Sequence, residues 1–108
     1  MKTHQLNILA TCECGYVGKC NCCEHYNLVF HNQLFIFCED DLRFFSRNLD
    51  YEHTLFDAGN VCCNGRTIAM RTPMNNFYIM FSMDELEILK TMLNDAFVMI
   101  EVNKVLQY

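Results

Sequence analysis

Apolar side chains recur at every second position in the middle of the chain, which predicts a strand there. They are Tyr26, Leu28 and Phe30, and this period of two is typical of a half-buried strand. A short polar turn follows, and residues 34–38 are then apolar throughout, as in a strand covered on both faces. Residues 39–41 are acidic, which suits a helix start because its free backbone N–H groups favour negative charge. This stretch therefore predicts a strand, a turn, a strand and a helix.

The same order of elements recurs in the second half of the chain. Residues 31–42 align without a gap with residues 75–86, and both copies run from a turn through an apolar strand into an acidic helix start. The second helix start is a capping box, because the side chains of Ser82 and Glu85 can each accept a hydrogen bond from the other's backbone N–H. In the first copy, the apolar spacing extends the helix as far as Ala58.

These elements predict one α+β domain over residues 1–108. Two successive ββα units, 26–59 and 60–108, would form an antiparallel sheet of four to five strands with both helices packed on one face. The cysteine-rich segment 1–25 is expected to fold over an edge of this sheet or over its other face. The apolar arc of the last helix is wider than one buried face needs, so we expect the first helix or a second subunit, as in a dimer, to cover the remainder.

Composition and charge narrow the class of protein. With 52% hydrophobic residues and a single proline, the chain is too apolar for a disordered protein. Its net charge of −5 repels phosphate backbones, which argues against nucleic-acid binding. No apolar run reaches the roughly 18 residues of a membrane span, and the first apolar run, broken at Asn7, is too short for a secretion signal. We therefore expect a cytoplasmic protein that binds neither nucleic acid nor membrane and keeps its cysteines reduced.

The cysteines carry the candidate chemistry, because most of the eight fall near the amino terminus. Zinc prefers four tetrahedral Cys or His ligands, and closely spaced ligands on a tight turn can direct two sulfurs at one ion. Cys20 and Cys23 form a C-x-x-C pair, whereas Cys12 and Cys14 are one residue closer together. The predicted ligands of a structural zinc ion are Cys12, Cys14, Cys20 and Cys23, with His4, Cys22 and His25 as substitutes if the first pair is too tightly spaced.

Other interpretations of the cysteines stay open. They can be reduced side chains at the rim of a core, since free cysteine behaves as a small hydrophobe. Cys20 and Cys23 can also cycle between dithiol and disulfide, although such a pair normally opens a helix and a strand pattern follows here. Cys38 is either a buried residue that ends a strand or a thiol whose pKa is lowered at a helix start. The adjacent pair Cys62-Cys63 is assigned to a loop.

Familiar catalytic motifs are missing from the sequence. It contains no Ser-His-Asp order, no phosphate-binding glycine loop and no H-E-x-x-H. We therefore expect a small, non-catalytic, zinc-stabilised binding module whose partner is another protein or a second copy of itself. The alternative is a thiol redox or metal-handling protein that uses Cys20 and Cys23.

Several short motifs along most of the chain resemble those of a family of small uncharacterised bacterial proteins. They are Gly15-Tyr16-Val17, Cys20-x-x-Cys23, Tyr26-Asn27-Leu28-Val29-Phe30-His31-Asn32, Arg66-Thr67-Ile68, Thr72-Pro73, Phe81-Ser82 and Glu85-Leu86. The resemblance implies one compact domain with no established activity. Its pattern carries over to Cys20 and Cys23 more firmly than to Cys12, Cys14, Cys22 and the pair Cys62-Cys63, which puts a four-cysteine site in doubt.

Overall fold

The computed structural model describes residues 5–51, 65–66, 68–72 and 74–106. Within these ranges the chain forms six strands and two helices. In chain order they are β1 (Leu6–Cys12), β2 (Gly15–Cys20), β3 (Tyr26–Phe30), β4 (Gln33–Phe37), α1 (Glu39–Tyr51), β5 (Ile68–Arg71), β6 (Tyr78–Phe81) and α2 (Met83–Leu106).

The first four strands form one antiparallel sheet in the order β1-β2-β3-β4. Val17, Leu28 and Phe35 lie opposite one another across β2, β3 and β4, and they point to the same inner face. Along β1 the register shifts between Ile8 and Ala10, which lets Leu9 and Ala10 both be buried. The hydrophobic core therefore lies on one side of this sheet.

Both helices pack on that inner face. α2 lies against β1 and β2, while α1 contacts β4 and α2. The largest fully buried helix residues, including Leu42 of α1 and Leu93 of α2, belong to the same core cluster as Val17 and Leu28. Phe45 of α1 packs on the ring of Phe37, with a centroid separation of 5.3 Å. Burial of these apolar side chains is the main force holding the helices to the sheet.

The predicted α+β class is confirmed, with an antiparallel four-stranded sheet and two helices. The sheet is not made of the two predicted hairpins. The cysteine-rich segment, which was expected to fold over an edge or the other face of the sheet, supplies its strands β1 and β2. The second predicted hairpin, β5–β6, pairs as a separate two-stranded sheet. The expected extension of α1 to Ala58 lies outside the described residues, and the division into segments 1–25, 26–59 and 60–108 stays a prediction.

Within the described part of the chain, no helix combines the length and the apolar character needed to cross a bilayer. α2 is the longest, at 24 residues. Its first turn contains the capping box predicted from the sequence: the Glu85 N–H donates to Ser82 Oγ at 3.1 Å, and the Ser82 N–H donates to Glu85 Oε1 at 2.9 Å.

Candidate metal centre

The candidate site is the turn that joins β2 to β3. Cys20 ends β2, residues 21–24 form bends, and β3 begins at Tyr26. Two backbone hydrogen bonds fix this turn: the Cys20 N–H donates to the His25 carbonyl at 3.0 Å, and the Asn21 N–H donates to the Gln5 carbonyl at 2.9 Å. The turn is therefore attached both to the strand that follows it and to the start of β1.

Three thiols of this turn come together. The Sγ atoms of Cys20, Cys22 and Cys23 all lie within 4.8 Å of one another, and those of Cys20 and Cys22 are 3.5 Å apart. Sulfurs bound to one tetrahedral zinc ion at about 2.3 Å are themselves roughly 3.8 Å apart. The three thiols can therefore hold a metal ion with little rearrangement.

Burial is graded across the three thiols. Cys20 is 4% exposed, Cys23 is half-buried and Cys22 is exposed. Cys20 is thus held within the sheet, whereas Cys22 faces solvent. An ion could enter from the solvent side without disturbing the core.

Close packing raises the pKa values of two of the three thiols, those of Cys22 and Cys23. The pKa of Cys22 is raised chiefly by its hydrogen bond with the Cys20 thiol and further by partial desolvation. The pKa of Cys23 is also raised, again chiefly by a hydrogen bond with Cys20, while a hydrogen bond from the backbone of His25 opposes the shift. The raised pKa values favour protonated thiols. A bound cation would favour thiolates instead, because a thiol that coordinates a metal loses its proton.

Cys12 and Cys14 lie far from this turn. Cys12 pairs with Gly15 at one end of the β1–β2 ladder, and Cys20 pairs with Leu6 at the other end. β2 has six residues, and the five steps from Gly15 to Cys20 span roughly 17 Å at about 3.3 Å per step. The structure therefore does not bring the four predicted ligands, Cys12, Cys14, Cys20 and Cys23, to one ion.

The hairpin containing Cys12 and Cys14 has its own local contacts. The Cys14 backbone N–H donates to Cys12 Sγ at 3.4 Å, and both side chains pack against the hydrophobic core. The pKa of Cys14 is raised by burial and by the neighbouring Cys12. These contacts agree with the alternative interpretation of cysteines at the rim of a core.

Two of the three substitute ligands fall at the turn. Cys22 is one of the three clustered thiols. His25 lines a cavity of about 360 Å³ together with Cys20, Cys23, Leu6, Asn27 and Ile36. His4 lies outside the described residues. Among the residues that the structure describes, Cys20, Cys22 and Cys23 form the one cluster of three or more potential metal ligands.

The remaining cysteines are not part of this cluster. The thiol of Cys38 is exposed, and its carbonyl accepts the first backbone hydrogen bond of α1 from the Leu42 N–H at 3.0 Å. Cys38 is therefore the N-cap residue of α1 and not the buried end of a strand. Cys62 and Cys63 lie outside the described residues.

A second polar cluster surrounds Glu85, and the sequence revealed only part of it. Arg66 donates to both carboxylate oxygens, with a shortest distance of 2.8 Å, and His31 Nε2 lies 2.6 Å from Oε2. These contacts, with the Ser82 N–H, lower the pKa of Glu85 to about 2, the Arg66 hydrogen bond being the largest cause. The capping box was a local signal, whereas the approach of Arg66 and His31 depends on the tertiary fold.

Comparison with known proteins adds a family but no activity. A family model described as a family of unknown function, DUF6686, matches residues 1–107. No curated protein and no solved structure matches the chain. The expected resemblance to an uncharacterised family is thereby confirmed.

Proposed function

The chain belongs to DUF6686, a family of unknown function, and from its own geometry we propose that it is a small, non-catalytic binding module stabilised by zinc. Cys20, Cys22 and Cys23 would hold the ion. The observation that carries the proposal is the convergence of these three sulfurs within 4.8 Å on a single turn.

Zinc is the ion that this donor set favours. Thiolates are soft ligands that select zinc, copper(I) or iron–sulfur clusters over magnesium or calcium. The Sγ–Sγ distance of 3.5 Å between Cys20 and Cys22 is close to the spacing of sulfurs on tetrahedral zinc. A zinc ion here would act as a structural clamp.

The position of the turn explains what the ion would stabilise. Cys20 belongs to β2, His25 leads into β3, and Asn21 is bonded to the residue before β1. A metal held at this turn would therefore keep three strands in register at one end of the sheet. Binding of structural zinc contributes directly to folding free energy in small domains.

The rival hypothesis is a thiol redox or metal-handling protein that uses Cys20 and Cys23. In thioredoxin-like proteins the reactive thiol lies at a helix N-terminus, where its pKa is lowered. Here the turn joins two strands. Its thiols are therefore not activated by a helix N-terminus. This difference favours the structural role.

Metal content and thiol titration separate the two hypotheses. Protein purified under reducing conditions without added metal should carry about one zinc ion per chain, and its clustered thiols should react with a disulfide reagent only after a chelator removes the ion. Cys38→Ser serves as the control, because this exposed thiol lies outside the cluster. Metal-free protein in which the thiols of Cys20 and Cys23 both react fast would support the redox alternative and contradict the proposal.

Self-association stays a prediction. Apolar side chains on the sheet face opposite the helices are exposed, notably Leu34 at 56% and Ile36 at 61%, and burying such side chains would favour a second copy. Sedimentation of the intact chain should show a dimer at micromolar concentration. A strict monomer at all concentrations would remove this part of the proposal.

A further inference from the structure

A zinc ion needs a fourth ligand beyond the three thiols, and we infer that His25 supplies it. The inference rests on the proposed zinc site and specifies it as a closed Cys3His centre made by Cys20, Cys22, Cys23 and His25. All four residues come from one turn of six residues.

The backbone places His25 directly across from Cys20. The last pair of the β2–β3 ladder is Lys19 with Tyr26, and the hydrogen bond from the Cys20 N–H to the His25 carbonyl extends that pairing by one residue. Opposed residues of an antiparallel pair point their side chains to the same face, with Cβ atoms about 5 Å apart. The imidazole therefore starts on the same side of the sheet as the Cys20 thiol.

The cavity beside the turn supports the same assignment. Cys20, Cys23 and His25 face one space of about 360 Å³ on the outer side of the sheet, and Leu6 and Ile36 form part of its wall. The His25 side chain is exposed, so it can change rotamer towards the sulfurs without leaving a gap in the core. Three of the four inferred ligands thus face the same cavity.

Two other potential ligands near the turn are placed less favourably. Glu24 lines a different cavity, on the helix side of the sheet with Lys104 of α2. Cys38 follows β4, and the pairing of Tyr26 with Phe37 puts it across from His25, one strand farther from Cys20. At about 4.8 Å per strand, its Cα is roughly 10 Å from that of Cys20. His25 lies between the cluster and Cys38.

Charge also favours a neutral imidazole in the fourth position. Three thiolates and one Zn²⁺ carry a net charge of −1, which imidazole leaves unchanged. A carboxylate or a fourth thiolate would make the net charge of the site −2 beside a partly apolar wall, where extra charge is more costly to desolvate. The inferred site therefore combines complete tetrahedral coordination with the smaller net charge.

Cobalt(II) substitution of the full chain tests the assignment, because cobalt reports both the number of thiolates and the coordination geometry. His25→Ala should weaken cobalt binding by at least the roughly 10–100-fold that the loss of a ligand's hydrogen-bond partner costs, because here a ligand itself is removed. The thiolate-to-cobalt charge-transfer band should keep its intensity, since three thiolates remain, while the ligand-field bands change as water replaces the imidazole. His25→Cys should restore tight binding and strengthen the charge-transfer band.

Two control variants accompany this experiment, and different outcomes contradict the His25 assignment and the zinc proposal. Glu24→Ala, an exposed neighbour on the other side of the turn, and Cys38→Ser should both retain wild-type affinity and spectrum. Wild-type behaviour of His25→Ala, or the loss appearing in Cys38→Ser instead, would overturn the assignment of His25 and leave the zinc proposal standing. Failure of the wild-type chain to bind cobalt or zinc at all would overturn the zinc proposal itself.

Discussion

Replacing Glu85 by glutamine should destabilise the fold strongly, although Glu85 is a single side chain in the first turn of α2. Its carboxylate accepts hydrogen bonds from Arg66, His31 and the Ser82 N–H, and its side chain is only 13% exposed. These contacts lower its pKa from an ordinary value near 4.5 to about 2. At 1.36 kcal/mol per pKa unit, the folded state favours the charged form by about 3 kcal/mol.

Glu85→Gln keeps the size of the side chain but removes the charge, so most of this stabilisation should be lost at pH 7. We expect the free energy of unfolding to fall by about 3 kcal/mol and Tm by roughly 13 °C. The pKa is depressed on folding, so the contribution is present above pH 4.5 and is lost as the pH falls towards 2. The difference between wild type and variant should therefore shrink over this interval.

Urea unfolding followed by circular dichroism, at several values between pH 7 and pH 2, measures that difference directly. Glu87→Gln is a matched control, because Glu87 is exposed on the same helix, and it should change stability by less than about 0.5 kcal/mol. The reasoning is refuted if Glu85→Gln is no less stable than Glu87→Gln, or if its deficit does not depend on pH.

Three further substitutions test the packing and the helix start, each by urea unfolding. Gly15→Ala should destabilise by about 3 kcal/mol or more, because an added Cβ would lie 1.8 Å from the carbonyl oxygen of Val29; wild-type stability would show that the strands can move apart there. Leu93→Ala should cost about 2–5 kcal/mol at a fully buried position, whereas Val105→Ala, 72% exposed, should cost less than about 0.5 kcal/mol; equal losses would contradict the assignment of the core. Ser82→Ala should cost about 1 kcal/mol through loss of the cap at the start of α2, and no change would mean that the cap is not formed in solution.

Local patterns in the sequence were sufficient to predict the central hairpin and both helix starts. Alternation over Tyr26–Phe30 and the acidic residues before α1 are short-range signals, and the structure places β3, β4 and α1 there. The strands β1 and β2 were not predicted. β2 begins with Gly15 and has Gly18 in its middle, and β1 buries two successive residues, Leu9 and Ala10, so neither segment shows clean alternation.

Pairing between strands is the part of the fold that the sequence could not supply. The repeated order of elements suggested that both hairpins contribute to one sheet, yet β5 and β6 pair only with each other among the described strands. Which strand lies beside which depends on long-range packing of α2 against β1. Contacts between segments so far apart in the sequence leave no periodic pattern within either segment.

The candidate site was predicted in part. The proximity of Cys20 and Cys23 follows from their spacing on a turn, but the choice of Cys12 and Cys14 over Cys22 relied on spacing without knowledge of the strand register. Once β1 and β2 pair, Cys12 is held at the opposite end of the ladder from Cys20. The adjacent thiol of Cys22 approaches the cluster instead.

Native mass spectrometry of the intact chain, purified without added metal, tests the zinc centre most directly. Wild type, Cys14→Ser and Cys22→Ser should be compared side by side, because Cys14 belongs to the set predicted from spacing and Cys22 to the set that the fold brings together. We predict one zinc ion on wild type and on Cys14→Ser, and none on Cys22→Ser. Zinc retained by Cys22→Ser but lost from Cys14→Ser, or absent from all three, would contradict the account.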